Sequence, residues 1–365
     1  MKKLAVIAIA ALAALSACTK VEVDPRPAEK VTFAVGSYAS GTKAASLIDV
    51  DGIDSFTCLG FLYGDNGDGT TTPQTFFGTS GETISYNSTT HEWLPSHTYY
   101  WPKSSQSYVN FVSWYDKNGA PNTVSETSFQ ITNRTIVADD AILIADEAWR
   151  YQANTTTYGF NSVADGVPTL FRHLLCRVGI KIRATTTVDP DNASDTYEVS
   201  VQSASFTGMR NRGSVSLVNS DLGSCGTKRW NCANSADVTL YWAPDVTSTE
   251  VCPLISSNTA ISTSDYVLLE ERSFMPQVLS DNVVLNLTYT VTAKTNGVMT
   301  STETVNASVR MKDITNSTGT PIVQWLPNTK YNYTLAINPI TQEIRLNPVV
   351  ATEWSSGIVL SAVVE

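Results

Sequence analysis

Val31-Thr32-Phe33-Ala34-Val35-Gly36 alternates one side chain at a time: Val31, Phe33 and Val35 are apolar, and Thr32, Ala34 and Gly36 are small or polar. A period of two puts the three apolar groups on one face of an extended strand. Burying three such side chains is worth roughly 5–8 kcal/mol, at about 1.5–3 each. Similar short runs recur along the chain, separated by Gly, Pro, Asn and Asp turns. The spacing predicts strands at Ile53–Tyr63, Gln74–Phe77, Ile84–Tyr86, Trp93–Leu94, Tyr108–Tyr115 and Thr169–Arg183. It predicts more at Tyr197–Thr207, Gly213–Leu217, Val238–Trp242, Tyr266–Glu270, Val283–Thr292, Thr304–Met311, Tyr331–Ile337, Glu343–Leu346, Val349–Trp354 and Ile358–Val364. The best short-helix candidates are Ser46–Asp51 and Asp139–Ala145. Many short strands with turn signals between them point to an all-β protein built of sandwiches.

Upstream of the first strand lies a polar, Pro-containing stretch, Thr19–Glu29. Before it the chain reads Met1-Lys2-Lys3, then an apolar run Leu4–Ala14, then Leu15-Ser16-Ala17-Cys18. A basic start, a short apolar run and small residues before a cut form a signal peptide. The apolar run is short of the roughly 20 residues that span a membrane. Cysteine directly after Leu-Ser-Ala is the lipobox arrangement, in which the thiol accepts a diacylglycerol. Residues 1–17 are therefore expected to be a lipoprotein signal and residues 18–29 a tether. Lipidation at Cys18 would attach the chain to an envelope membrane.

The 365 residues have room for about two domains. The polar, Gly- and Asp-containing stretch Asn161–Val167, followed by Pro168, is the best boundary. It gives an N-terminal domain over 30–167 and a C-terminal domain over 168–365. Charged residues make up 16% of the chain, against about 25% in ordinary soluble domains; Thr, Val and Tyr, which suit pleated surfaces, help to replace them. The net charge of −10 and pI near 4.8 argue against a nucleic-acid partner.

Setting Cys18 aside leaves Cys58, Cys176, Cys225, Cys232 and Cys252, an odd number. Cys58 and Cys176 sit in strand-like runs, where buried free thiols are common. Cys225 and Cys232 flank a Gly/Asn-rich loop and form a candidate disulfide in an oxidising envelope; no histidine lies near the pair to suggest a metal. The three histidines, His91, His97 and His173, match no catalytic or zinc spacing, and no nucleophile elbow, phosphate-binding loop or dinucleotide fingerprint occurs. Asp65-Asn66-Gly67-Asp68-Gly69 resembles part of a calcium loop but has no closing acid, and reads better as a hairpin tip. Trp101, Trp114, Trp149, Trp230, Trp242, Trp325 and Trp354 are scattered, as core tryptophans are. The expectation is a non-enzyme without cofactor or metal.

Several segments together resemble the fimbrillin family of type V pilins and Mfa-like fimbrial lipoproteins. Tyr100-Trp101-Pro102 followed by Tyr108–Tyr115 is similar to its "YWP…F-A-Y-Y" pattern. Asp140–Ala145 resembles its "DLL-A" segment and Leu170–Val178 its "F-H-L-K-V" strand. Leu326–Leu335 resembles its late "L-P-G-Y-Y-T-L" strand, with Asn328 where glycine is expected; both tolerate positive φ. Cys18 and the near-terminal Trp354 also fit. The resemblance covers nearly the whole chain and implies two tandem transthyretin-like β-sandwich domains. It implies export as a surface-exposed outer-membrane lipoprotein, then removal of the tether and first strand (30–38) by a maturation protease. The emptied groove would accept a strand from another pilin subunit, self or related. A donor strand is expected within 349–365, with Ile358, Leu360, Ala362 and Val364 alternating. The implied function is a fimbrial subunit contributing to adhesion to a receptor on a host or bacterial surface. Where the family's protease prefers arginine after the first strand, this chain has only Lys43; Arg26 precedes Pro27, and Arg134 lies far inside the domain. An alternative is a membrane-anchored lipoprotein that binds glycans through exposed aromatic side chains.

Overall fold

The computed structural model describes residues 30–37, 52–64, 73–102, 108–126, 128–145, 148–151, 166–218, 241–244, 250–255 and 258–353. Cys18, Lys43, Cys225, Cys232, Ile358, Leu360, Ala362 and Val364 lie outside them, as do Ser46–Asp51 and Asp65–Gly69. In chain order the first strands are β1 (Phe33–Ser37), β2 (Ser55–Tyr63), β3 (Gln74–Thr75), β4 (Glu82–Asn87), β5 (Glu92–Pro95), β6 (Tyr108–Asp116), β7 (Thr123–Ser125), β8 (Ser128–Thr135), β9 (Ile142–Ala145), β10 (Ala148–Tyr151) and β11 (Val167–His173). Then come β12 (Cys176–Ala184), β13 (Asp195–Met209), β14 (Arg212–Val218), β15 (Tyr241–Pro244), β16 (Glu250–Ile255), β17 (Thr259–Ile261), β18 (Tyr266–Phe274), β19 (Gln277–Val278), β20 (Val284–Thr295) and β21 (Val298–Arg310). The last are β22 (Gln324–Trp325), β23 (Thr329–Ile337), β24 (Ile344–Leu346) and β25 (Val350–Glu353). Among the described residues the remaining regular structure is one 3-10 turn, Met311–Asp313. The all-β expectation holds.

The N-terminal pairings close on themselves. Strand β6 pairs with β9, β9 with β11, β11 with β1, β1 with β5, β5 with β4, β4 with β2, and β2 again with β6. Inside this ring sit Val31, Phe33, Val35, Phe56, Phe77, Trp93, Trp101, Phe111 and Phe171. The C-terminal half is a sandwich. One sheet runs β18-β12-β23-β24 with β25 also on β23; the other runs β16-β13-β20-β21 with β17 also on β13. Alternate residues of the two sheets, such as Val178, Ile180 and Ile182 against Val201, Leu287 and Tyr289, fill the space between them around Trp325.

Strand β8 was not foreseen. Its signal is the alternation Phe129/Ile131, only two apolar residues long. It pairs with β14 of the C-terminal half, from Ser128↔Val218 to Thr135↔Arg212, within a sheet ordered β15-β14-β8-β7. A third core, with Trp114, Phe129, Ile131, Ile142, Ile144, Leu174, Leu175, Val215 and Leu217, fills the gap between this sheet and the ring.

Three local expectations are corrected. Asp139–Ala145 is not helical: Ile142–Ala145 is a strand with every residue buried. Leu143 and Ala145 face the ring core and Ile142 and Ile144 the third core, so its apolar run is continuous and shows no period of two. The single strand expected over Thr169–Arg183 is two strands, broken at Leu174-Leu175, both of which enter the third core. Strand β11 consequently belongs to the N-terminal ring, beyond the boundary expected at 167/168, and the chain changes sheets at the Leu pair.

Candidate functional site

The first strand occupies a seam of the ring. Strand β1 runs parallel to β11 in the register Phe33↔Val167, Ala34↔Pro168, Val35↔Thr169, Gly36↔Leu170 and Ser37↔Phe171. Among the described residues it meets β5 at one pair, Phe33↔Trp93. Just before the strand, the Val31 N–H donates to the Tyr99 carbonyl at 2.9 Å, Lys30 bridges Tyr100, and the Val167 N–H donates to the Thr32 carbonyl at 2.7 Å. The alternation is realised: Val31, Phe33 and Val35 are 1%, 5% and 2% exposed, while Thr32 and Ala34 are half-buried.

Phe33 enters an aromatic seat. Its ring meets Phe56 edge-on at 5.8 Å and Phe111 edge-on at 5.7 Å, and lies tilted against Phe77 at 6.3 Å. Phe56 in turn packs on Trp93 and Phe171 at 5.5 and 5.1 Å. Such ring pairs add about 0.5–1.5 kcal/mol each beyond the area they bury. Beside the same position, Gly166 precedes Val167, the parallel partner of Phe33. Its φ is +81°, and a Cβ there would lie 2.9 Å from the Phe33 carbonyl carbon and 3.0 Å from the Ala34 nitrogen. Only glycine permits both the dihedral and the approach.

The Tyr99 segment that receives Val31 is anchored by a buried carboxylate. Glu82 accepts from Ser96 Oγ at 2.5 Å, the His97 N–H at 2.8 Å and Tyr99 Oη at 3.0 Å, with His97 Nδ1 also 3.0 Å away. Burial alone would raise its pKa; these hydrogen bonds outweigh burial and hold the carboxyl below its ordinary value. Cys58, on the neighbouring β2, is fully buried, and burial pushes its thiol up to about 12. Cys176 is buried too, with its thiol likewise raised. Both match the reading of inert, free thiols.

The ring is tied to the rest of the chain by charge and by one asparagine. Arg134, at the end of β8, donates to Asp116 Oδ1 at 3.0 Å and Asp140 Oδ1 at 3.2 Å; both carboxylates are buried. Asn118 also donates to Asp140, at 2.6 Å, and Ser273 of β18 donates to the Asp140 carbonyl at 2.5 Å. Asn328 has φ of +54°, as expected for a residue in glycine's place. Its side-chain oxygen accepts from the His173 N–H at 3.1 Å, and its own N–H donates to the Leu175 carbonyl at 3.0 Å. Glycine would keep the turn and lose the first bond.

At the far end, β25 pairs with β23 from Asn332↔Val350 to Thr329↔Glu353, and Val349 is buried. The first residues of the segment expected to hold a donor strand thus belong to a sheet of their own chain. Trp93, Trp101, Trp114 and Trp325 are buried in the cores and form no surface platform. The sequence reading found Val31, Phe33 and Val35 but missed Gly166, Trp93 and the phenyl seat. An isolated glycine after a polar loop was the one signal available for Gly166.

No protein-family model and no curated protein matches the chain. Solved structures do. The chain is similar to a fimbrial protein from Bacteroides vulgatus, with a TM-score of 0.50 at 15% identity over 89% of this chain and 99% of that one. It is also similar to the C-terminally truncated tip fimbrial protein Mfa3 of Porphyromonas gingivalis, with a TM-score of 0.34 at 9% identity over 89% and 100%. The motif-based resemblance to the fimbrillin family is matched at the level of fold: the chain has the all-β fold of the Bacteroides vulgatus fimbrial protein.

Proposed function

We infer that this chain is a structural subunit of a fimbrium, contributing to adhesion at the cell surface and catalysing no reaction. It assembles with other pilin subunits when its first strand is replaced. The observation that carries this reading is the seam. The segment Val31–Ser37 buries three apolar side chains, yet β1 itself is held by one five-residue ladder to β11 and a single pair to β5, with the Lys30–Tyr100 bridge and the Val31–Tyr99 bond just before it. Withdrawing it opens the ring, bares two strand edges and exposes an apolar groove, which is a template for strand addition. No other ring strand stands so near the chain's N-terminal tether.

In this reading Cys18 carries the lipid that holds the precursor on the outer membrane. A maturation protease cuts after Lys43, and the tether and strand leave together. The segment containing Ile358, Leu360, Ala362 and Val364 is the strand offered to a neighbour, with β25 as its root in the C-terminal sheet. N-terminal sequencing of protein sheared from cells tests the scheme. A start at Ala44 is expected for a processed, polymerising subunit. Protein that keeps an acylated Cys18, and that neither loses β1 nor forms oligomers on gel filtration after tryptic trimming at Lys43, would overturn it.

A further inference from the structure

We propose that the groove is selective for a strand with an aromatic side chain at its centre, so that this subunit takes its strand from a different pilin chain and not from a second copy of itself. The inference rests on the reading that β1 is replaced.

Two independent features set the same position. The seat opposite Trp93 is lined by Phe56, Phe77 and Phe111, and the Phe33 ring fills it with contacts to all three. Beside it, Gly166 leaves room for the Phe33 and Ala34 backbone only because it has no side chain: a Cβ there would lie 2.9 Å from the Phe33 carbonyl carbon and 3.0 Å from the Ala34 nitrogen. Both features bear on one residue, Phe33, within the five-pair register to β11. The positions two residues either side, held by Val31 and Val35, are also fully buried. The groove is cut for β-branched, any, aromatic, any, β-branched.

The chain's own candidate donor does not match this pattern. Ile358-Val359-Leu360-Ser361-Ala362-Val363-Val364 contains no ring. Seated with Leu360 at the Phe33 position, it places Ile358 where Val31 lies and Ala362 where Val35 lies, so it underfills two of the three seats. Moving it by one residue puts Val359 or Ser361 in the aromatic seat, and moving it by two puts Ile358 or Ala362 there, each smaller than a phenyl ring. Close-packed interiors penalise each of these voids, because lining atoms lose their contacts and the walls relax only partly.

Fluorescent peptides added to the full chain, cut in the loop around Lys43, test the idea. The probes are residues 30–37, the same peptide carrying Phe33→Leu, residues 358–364, and that peptide carrying Leu360→Phe. The residue 30–37 peptide is expected to bind about tenfold or more tightly than its Phe33→Leu form, and Leu360→Phe to tighten the C-terminal peptide by a similar factor, equivalent to about 1.4 kcal/mol. If the ring changes neither affinity, the selectivity is wrong while strand replacement stands. If no peptide binds, including the chain's own first strand, both are wrong. An uncut chain carrying Phe33→Leu supplies a second readout: its melting temperature should fall by about 3 °C or more, and an unchanged value overturns the proposal.

Discussion

In the C-terminal sandwich, β13 and β20 share a ladder from Asp195↔Thr295 to Thr207↔Val284, and β20 shares another of similar length with β21. In the N-terminal ring, β1 has five residues, and its ladder to β5 is the one pair Phe33↔Trp93, preceded by the bond from Val31 to Tyr99. Both halves bury aromatic cores, so the contrast is not one of apolar content. It lies in how much backbone pairing would be lost with one strand. The sandwich cannot release β13 or β20 without dissolving a sheet. The ring can release β1 and keep six strands paired in sequence. The proposed strand replacement would draw on that asymmetry, a well-filled groove with an occupant held by little backbone pairing.

The largest effect should come from removing β1. Excising residues through Lys43 withdraws three buried side chains, roughly 5–8 kcal/mol of apolar burial, from the ring only. Amide hydrogen exchange should rise sharply on β5 and β11 while β13 and β20 stay protected. Equal loss of protection in both halves would show that they stand or fall together.

Arg134→Ala should cost about 3–5 kcal/mol, the usual penalty for leaving buried charge without its partner, and denaturant unfolding would measure it. The site lies between the halves, so the mutant should also split the unfolding transition. Burial raises the pKa of Asp116, with the attraction of Arg134 working against that rise. A carboxyl whose folded pKa lies above its unfolded value destabilises the fold when ionised and is relieved as pH falls. The Arg134→Ala penalty should therefore shrink on acidification.

Gly166→Ala should destabilise the uncut chain by about 1–2 kcal/mol from the positive φ alone, plus the clash with β1. The clash part should vanish when β1 is removed, because the atoms it meets belong to Phe33 and Ala34. A penalty of the same size in the trimmed protein would mean that the close approach to Phe33 and Ala34 contributes nothing to it.

The smallest effect should be at Glu82, on the order of 1 kcal/mol for Glu82→Gln as hydrogen bonds to a charged acceptor are weakened. Here the sign is opposite to that at Asp116. The folded pKa is lowered, so the stabilisation is complete above the ordinary carboxylate range and is lost as pH falls through the folded value. Melting temperatures of wild type and Glu82→Gln should converge in acid and separate toward neutrality.

Much of this contrast was legible in the residues. The alternation in Val283–Thr292 and Tyr197–Thr207 marks both strands of the long ladder, though not their pairing, and that in Val31, Phe33 and Val35 marks their buried face without any neighbour. What escaped has definite physical causes. Strand β9 is buried on both faces, and a continuous apolar run has no period to read. Strand β8 offers two apolar residues, too few to stand out. The turn at Leu174-Leu175 carries no Gly or Pro because it lies inside a core, where apolar side chains are needed more than turn formers.

The groove shows the same division. Chemistry local to a strand specified its inward face, because successive side chains must point to opposite sides of a sheet. The identity of the walls came from closure of the ring, which brings Trp93, Phe111 and Gly166 to one point from positions 60 to 133 residues beyond Phe33. Side-chain alternation is a property of each strand alone, and it can be read without neighbours. Strand pairing is a choice among many edges with the same backbone groups, settled by how the side chains of all of them pack at once, and that is visible only in the folded chain.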